Sequence, residues 1–284
     1  MIQKTLNLYE YFSVMRPEGA VGDLVCQALE PMPVVTPNRK RPAVLILPGG
    51  GYHFTSEREA ETIALPFIMR GYAAFTLYYS VAPLTFPTAL RETAMAMRYI
   101  RENAEAFCVD AGMVAAIGFS AGGHLCGTLG TMYDIPELAD IAAGDVVRPN
   151  ALGLCYPVLV EWGATHQGSF ENLSGGDRQL RQKLSVEKHV RPDMPPVFLW
   201  HTRNDELVPC RNSIIMAQAL EEAGVDFALH LYRQGRHGLS NANDQVYATY
   251  NTPAISRDVP QWLDTMMDFF AEVGFHITDT PANP

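Results

Sequence analysis

The sequence has few basic residues. Its 284 residues include 21 Lys and Arg against 31 Asp and Glu, which gives a formal net charge of −10. Because contacts to phosphates need clustered Lys and Arg, this balance argues against a nucleic acid partner. The expected ligand is a neutral or cationic small molecule.

Long apolar runs are also missing. No stretch approaches the length needed to span a bilayer, and the N-terminal segment MIQKTLNLYE lacks the apolar core of a secretory signal peptide. The sequence therefore predicts a soluble cytoplasmic protein with no membrane partner. It leaves open whether the chain is a monomer or a homo-oligomer.

Cysteines are few, odd in number and without a C-x-x-C pair: Cys26, Cys108, Cys126, Cys155 and Cys210. This pattern provides neither a disulfide framework nor a zinc site. Since a free cysteine behaves as a small hydrophobic residue, we expect five reduced packing residues. We predict no metal and no cofactor.

The chain has enough apolar residues to bury a large core. Hydrophobic residues make up 48% and charged residues 18% of it, and its length favours one domain over residues 1–284 with modest insertions. Short β-rich apolar runs alternate with longer segments of helical period, as in an α/β protein. We predict a mostly parallel central sheet with helices on both faces and an antiparallel N-terminal edge.

The main predicted sheet begins after Arg41. Its strands are AVLILP, AAFTLYY, MVAAIGF, ALGLCYP, PVFLWHT and FALHLYR, each apolar as buried parallel strands are. Helices are predicted at about Glu57–Arg70, Pro87–Ala106, Arg211–Gly224 and Pro260–Gly274, and over AGGHLCGTLG. The run Leu24–Leu29 and the Pro-rich segment PMPVVTPNRKRP are predicted as antiparallel edge strands.

Two stretches interrupt the alternation of strands and helices, at about residues 133–150 and 161–195. The second carries polar residues and the loop-forming SGGD. Long irregular insertions in a compact domain are often lids or flaps over an active site. The alternative is a surface insertion without a role in function.

A nucleophile motif lies between a predicted strand and a predicted helix. Gly118-Phe119-Ser120-Ala121-Gly122 matches G-x-S-x-G, and the strand–turn–helix setting is the one that this motif requires. The glycines allow the strand and the helix to approach closely. We predict Ser120 as the nucleophile; the alternative is a Gly-rich structural turn.

A serine nucleophile needs a histidine base, which in turn needs an acid to orient it. His237 follows the strand FALHLYR, and Asp205 follows PVFLWHT, so both are expected at the carboxyl edge of the sheet. The chain order Ser, Asp, His is the one typical of this arrangement. His124 lies one helical turn beyond Ser120 and is expected to pack beneath it.

A glycine run directly after AVLILP can supply an oxyanion hole. In Pro48-Gly49-Gly50-Gly51-Tyr52, consecutive glycines can turn backbone amides inward without obstruction from side chains. The amide of Ala121, at the start of a helix, is the second expected donor. A phosphate-binding loop is the competing interpretation, but no Lys-Ser/Thr pair follows the glycines.

The substrate pocket is expected to include residues near the glycine run and the nucleophile. The candidates are Tyr52, His53, Tyr79 and Phe119. Phe119 and Tyr79 could equally be core aromatics, and His53 has no evident catalytic role. Small residues around Ser120 favour a short acyl group.

Taken together, the segments PGGGY, GFSAGGHL, HTRNDELVP and GRHGLS resemble the α/β-hydrolase esterase/lipase family, and in particular bacterial acetyl-esterase or xylan-esterase-like proteins. The resemblance runs from about Pro42 to the C-terminal helix. It includes the stretch LSVEKHVRPDMPPVFLWHT, and it departs from the commoner glycine loop in having Pro48 where many relatives have His.

The resemblance implies a metal-independent acyl-enzyme mechanism on a small-molecule ester. Ser120 would be the nucleophile, His237 the acid/base and Asp205 the orienting acid, with oxyanion donors at Gly50, Gly51 and Ala121. An acetyl group on a carbohydrate is the favoured substrate. An amide hydrolase with the same triad, such as an arylformamidase or peptidase, and a hydrolase-fold binding protein without catalysis are the alternatives.

Overall fold

A computed structural model describes residues 1–141, 144–163, 165–247 and 253–279 of the chain. In this part of the chain nine strands form the sheet. They are β1 (Ile2–Asn7), β2 (Asp23–Ala28), β3 (Arg39–Leu47), β4 (Ala73–Tyr78), β5 (Val109–Phe119), β6 (Ala151–Cys155), β7 (Val197–Thr202), β8 (Phe227–Tyr232) and β9 (Thr278–Asp279).

The strand order is β1-β2-β4-β3-β5-β6-β7-β8, and β9 pairs with the start of β3. β1 and β2 pair antiparallel with each other, and β2 pairs antiparallel with β4. All neighbours from β4 through β8 are parallel. The predicted fold, an α/β-hydrolase sheet with an antiparallel N-terminal edge, is confirmed.

Eight α-helices accompany the sheet among the described residues. They are α1 (Leu8–Phe12), α2 (Glu61–Met69), α3 (Thr88–Glu102), α4 (Ala121–Thr131), α5 (Gln167–Ser174), α6 (Arg178–Lys183), α7 (Arg211–Ala223) and α8 (Trp262–Glu272). The predicted helices are present, and all but α4 are shorter than predicted. The segment Glu57–Glu59, for example, is a 3₁₀ turn that precedes α2.

The core fills both faces of the sheet. Along β3 the side chains alternate in direction, so Leu45 joins the layer beneath α3 and α4, whereas Val44 and Ile46 join the layer beneath α2 and α8. In the second layer Trp200 of β7 stacks on Trp262 of α8 with ring centroids 5.0 Å apart. Because both faces of these strands are buried, their sequences are continuous apolar runs.

The N-terminal edge differs from the prediction. β1 was not expected, and the Pro-rich segment is no strand before Arg39: residues 33–38 form turns in which Val34 is 94% exposed. Pro33 and Pro37 have no backbone N–H to donate to a strand ladder, which disfavours pairing of these residues. β1 pairs antiparallel with β2 and ends at Asn7, whose side chain caps the N-terminus of α1.

The two interrupting stretches lie in different places. In the first, Asp140 forms an ion pair with Arg91 of α3. The second carries α5 and α6, and its residues His166 and Asn172 lie at the candidate site described below. Residues 142–143 of the first stretch and Ala164 of the second lie outside the described residues.

None of the described helices combines the length and apolar character needed to cross a bilayer.

Candidate active site

Ser120 lies in a sharp turn between β5 and α4. Its backbone has φ 53° and ψ −115°, a left-handed conformation that L residues rarely adopt. A Cβ at Gly118 would lie 2.1 Å from the carbonyl oxygen of Gly122, and one at Gly122 would lie 2.1 Å from that of Leu47. Both glycines are therefore required by close packing around the turn, as the motif predicts.

The three residues of the predicted triad come together at this turn. The Oγ of Ser120 is 2.8 Å from Nε2 of His237, and Nδ1 of His237 is 2.7 Å from Oδ2 of Asp205. The side chain of Asp205 is fully buried and that of His237 is 11% exposed. The chain thus carries a continuous hydrogen-bonded path from a hydroxyl to a buried carboxylate.

Asp205 is held by several donors. Its Oδ1 accepts from the backbone amides of Leu207 and Val208, and its Oδ2 also lies 3.3 Å from Nε2 of the buried His201. Burial opposes ionisation, but hydrogen bonds from His201 and His237 outweigh it and hold the pKa of Asp205 well below its usual range. The carboxylate is ionised at neutral pH and can orient His237.

His124 is not available as a base. Its Nδ1 is 2.9 Å from the Tyr52 hydroxyl, and its Nε2 is 2.7 Å from the carbonyl oxygen of Leu184. Burial lowers the pKa of His124 to about 4, so the ring is neutral and both of its nitrogens are engaged. The expectation that it packs beneath the nucleophile turn is confirmed.

The glycine run after β3 forms the other wall of the site. Gly50 and Gly51 have φ values of 133° and 65°, and both line the cavity next to Ser120. Within the described residues, their amides and that of the buried Ala121 have no hydrogen-bond partner. These three amides are free to bind an oxyanion.

Gly49, by contrast, has its amide occupied. It donates a 2.7 Å hydrogen bond to Oε2 of Glu59. Glu59 is 2% exposed, and its Oε1 accepts a 2.6 Å bond from the Tyr156 hydroxyl. Burial raises the pKa of Glu59, and these two hydrogen bonds oppose the rise.

A cavity of about 310 Å³ opens above Ser120 and His237. Its walls come from the glycine run and the turn after it, from the Asp205 and His237 loops, and from the second interrupting stretch. Apart from Ser120 and His237, the side chains that line it are His53, Phe54, Ser56, Arg58, Glu59, His166, Asn172 and Leu207.

Of the four predicted pocket residues, only His53 lines this cavity. The prediction was wrong for Tyr52, Tyr79 and Phe119, which are buried core residues. Tyr52 turns inward to His124, Tyr79 donates to the carbonyl oxygen of Pro48, and Phe119 packs edge-on against Trp262. These three aromatic residues are next to the motifs in sequence, but their rings pack in the core and stabilise the turns there.

The lining residues that sequence reasoning missed come mainly from two places. Glu59 lies eight residues after the end of the glycine run, in the string SERE, where neighbouring charged residues do not single it out. His166 and Asn172 belong to the second interrupting stretch, far along the chain from the motifs. Nothing local marks them, because only the tertiary fold brings that stretch over the glycine run.

Comparison with known proteins agrees with this fold. Residues 91–254, more than half of the chain, match the prolyl oligopeptidase family, and residues 32–147 match the family described as BD-FAE. The crystal structure of an acetyl ester-xyloside bifunctional hydrolase from Caldicellulosiruptor lactoaceticus is 32% identical, with a TM-score of 0.81 over 96% of this chain and 97% of that one. A carboxylesterase from Lactobacillus plantarum WCFS1 is 25% identical, with a TM-score of 0.80 over 98% and 99% of the two chains.

Two curated relatives extend the comparison. Endo-1,4-beta-xylanase B of Butyrivibrio fibrisolvens is 37% identical over 75% of this chain and 34% of its own length. Acetylxylan esterase of Xylanibacter ruminicola is 29% identical over 69% of this chain and 40% of its own length. The alignments therefore cover well under half of these two longer relatives. On its fold, its sequence matches and its full-length structural relatives, the chain belongs to the α/β-hydrolase esterase/lipase family.

Proposed function

We propose that the chain is a serine carboxylic-ester hydrolase in which Ser120 is the nucleophile, His237 the general acid/base and Asp205 the orienting acid. The observation that carries this proposal is the path of 2.8 Å and 2.7 Å hydrogen bonds from Ser120 through His237 to Asp205, which opens on a cavity. A serine, a histidine and a carboxylate in this order are the parts that acyl transfer requires.

In the first half of the reaction the Ser120 hydroxyl attacks the ester carbonyl carbon. His237 Nε2 takes the hydroxyl proton, and the ionised Asp205 stabilises the resulting imidazolium through Nδ1. The carbonyl oxygen becomes an oxyanion, for which the free amides of Gly50, Gly51 and Ala121 are the donors. The tetrahedral intermediate collapses, His237 protonates the leaving alcohol, and an acyl-enzyme remains on Ser120.

In the second half a water molecule replaces the alcohol. His237 removes a proton from this water as its oxygen attacks the acyl carbon, and the same three amides bind the second oxyanion. Collapse expels the Ser120 oxygen, which recovers its proton from His237. The products are a carboxylic acid and the free enzyme.

For the acyl group we propose acetyl, carried on a carbohydrate hydroxyl. The cavity of about 310 Å³ is at the lower end of the range for small-molecule sites, and the His166 and Phe54 side chains occupy space beside the glycine run. Its lining is rich in polar side chains, as suits a hydroxylated leaving group. One structural relative is named an acetyl ester-xyloside hydrolase, and one curated relative an acetylxylan esterase.

A series of 4-nitrophenyl esters from acetyl to octanoyl tests the acyl preference. We expect kcat/KM to fall from acetyl to octanoyl, because the longer chains do not fit the cavity. A faster turnover of octanoyl than of acetyl would contradict the short-acyl proposal while leaving ester hydrolysis intact. Acetylated xylo-oligosaccharides in the same assay test the carbohydrate part.

Amide hydrolysis is the second candidate, because more than half of the chain matches the prolyl oligopeptidase family. The same nucleophile, base and oxyanion donors serve amides. Formyl-kynurenine and dipeptide amides, assayed beside acetyl esters, distinguish the two: a higher kcat/KM for either amide would favour an amidase. A fluorophosphonate that leaves Ser120 unlabelled in folded protein would favour a non-catalytic binding protein.

A further inference from the structure

We infer that Glu59 is a positioning residue for the oxyanion loop, here defined as residues 48–52. By accepting the Gly49 amide, its carboxylate fixes the loop so that the next two amides, those of Gly50 and Gly51, face the substrate. This inference rests on the proposed function, since it concerns the same oxyanion hole.

The first contact is between Glu59 and the loop. Oε2 of Glu59 lies 2.7 Å from the Gly49 nitrogen, and a Cβ at Gly49 would lie only 2.8 Å from that oxygen. Gly49 therefore has no side chain where the carboxylate approaches. A short hydrogen bond from a buried amide to a buried carboxyl oxygen is costly to break, so it holds this peptide in one orientation.

The second contact connects Glu59 to the histidine loop. The Tyr156 hydroxyl donates to Oε1 of Glu59 at 2.6 Å and accepts from the Ser240 amide at 2.9 Å. The Tyr156 ring also lies edge-on to His237, with centroids 5.2 Å apart. One buried carboxylate thus ties the oxyanion loop to the loop that carries the base.

A carboxylate suits this place because both of its oxygens accept. The two partners of Glu59, an amide and a hydroxyl that already accepts from Ser240, are both donors. A glutamine in its place presents one oxygen and one NH₂ group, so it leaves one buried donor facing another. The Glu59→Gln variant keeps the shape of the side chain and removes one of the two bonds.

The experiment compares Glu59→Gln, Tyr156→Phe and the double variant with the wild type in the full chain. Three quantities are measured: kcat and KM for 4-nitrophenyl acetate, thermal unfolding, and inhibition by a short trifluoromethyl ketone. The ketone forms a hemiketal with Ser120 and places a negative oxygen in the oxyanion hole. Its inhibition constant therefore reports on the hole, which a residue with only a structural role would not change.

Two control variants test whether loss of a nearby charge, or loss of any buried carboxylate, is enough to change activity. Glu57→Gln removes an exposed carboxylate in the same 3₁₀ turn. Glu92→Gln removes another fully buried carboxylate, one that accepts from the Tyr9 hydroxyl and the Ser80 amide but lies outside the cavity lining. Glu92→Gln is expected to lower the unfolding temperature with kcat and the inhibition constant within about twofold of wild type.

We expect Glu59→Gln to lower kcat by about 10- to 100-fold, less than the complete loss of an oxyanion donor, and to weaken ketone inhibition by a similar factor with KM nearly unchanged. Tyr156→Phe is also expected to lower kcat. The fold-decrease in kcat of the double variant should be smaller than the product of the two single fold-decreases.

A folded Glu59→Gln variant with wild-type kcat and ketone inhibition would overturn the inference, even if its unfolding temperature fell. If Glu59→Gln does not fold, unchanged ketone inhibition in Tyr156→Phe would overturn it. A wild-type protein that hydrolyses no ester would overturn the proposed function first, which is a distinguishable result.

Discussion

The side-chain amide of Asn172 donates a 2.9 Å hydrogen bond to the carbonyl oxygen of Gly51. Asn172 belongs to α5 in the second interrupting stretch, whereas Gly51 belongs to the oxyanion loop. The same stretch places His166 against the cavity. This part of the chain is therefore a wall of the candidate site and contacts Gly51, the residue whose amide is a proposed oxyanion donor.

Asn172→Ala is expected to lower kcat/KM for 4-nitrophenyl acetate by about fivefold. The loss corresponds to about 1 kcal/mol, the net contribution of one hydrogen bond, because Gly51 is then held less firmly through its carbonyl group. Glu171→Gln, on the exposed side of the same helix, is the control and should retain wild-type kcat/KM. Equal values for Asn172→Ala and the control would show that the bond does not affect the loop.

Gly50→Ala is expected to impair both folding and activity. A Cβ at Gly50 would lie 2.0 Å from the carbonyl oxygen of Phe54, and its φ of 133° is unfavourable for any L residue. We expect a loss of about 1–3 kcal/mol in the free energy of unfolding from the clash, measured in urea, beyond the strain of the backbone angle.

Gly19→Ala isolates the contribution of the backbone angle. Gly19 has φ +78° and no atom within 4 Å of an added Cβ. Gly19→Ala should lower the free energy of unfolding by about 1 kcal/mol and leave kcat/KM unchanged. If Gly50→Ala lowered the free energy of unfolding no more than Gly19→Ala does, the close packing of the oxyanion loop against Phe54 would be contradicted.

His124 makes the stability of the protein depend on pH. Its folded pKa of about 4 lies below the ordinary value of 6.5, because the ring is buried and neutral. Between these values the unfolded chain binds a proton at His124 and the folded chain does not, so stability falls as the pH drops from 6.5 toward 4. The expected loss is about 3 kcal/mol, measured by urea unfolding across this range.

His124→Gln removes this titration. The variant should be less stable than wild type at pH 7, because it loses a hydrogen bond, and its stability should fall less steeply below pH 6.5. The exposed His276 offers a control, since His276→Gln should keep the wild-type slope. A wild-type slope in His124→Gln would mean that other groups produce the pH dependence.

His166 is expected to limit the size of the acyl group. It is half-buried beside Gly51, and its Nδ1 is 2.8 Å from Oγ of Ser169, which fixes the ring in the cavity. His166→Ala should raise the ratio of kcat/KM for butanoyl over acetyl esters by about tenfold, the scale of a methylene or two in an apolar pocket. An unchanged ratio would place the acyl group on another side of Ser120.

Much of the fold could be predicted from the sequence because parallel strands buried on both faces are apolar throughout. AVLILP, MVAAIGF and PVFLWHT each lie in the expected strand, and residues after their ends form the site. β1 was missed because Ile2–Asn7 is an edge strand with no buried residue and a mixed sequence. The Pro-rich run was predicted correctly only at its end, where residues 39–42 begin β3, whereas residues 33–38 form turns.

The site was predictable where chemistry constrains a motif and unpredictable where contact depends on the tertiary fold. Ser120, Asp205 and His237 follow strands at one edge, so their meeting could be expected. Asn172 reaches Gly51 across 121 positions of sequence, which no local pattern reveals. Phe119 was assigned to the pocket because it precedes the nucleophile, but alternation along β5 directs it into the core.

The central claim is that Ser120 is the nucleophile of an ester hydrolase. It is tested most directly by kcat/KM for 4-nitrophenyl acetate in wild type and in Ser120→Ala, with circular dichroism to verify folding. The proposed mechanism predicts measurable wild-type turnover and a fall of about 10⁴-fold or more in the folded variant. Turnover in Ser120→Ala equal to that of wild type would contradict the claim.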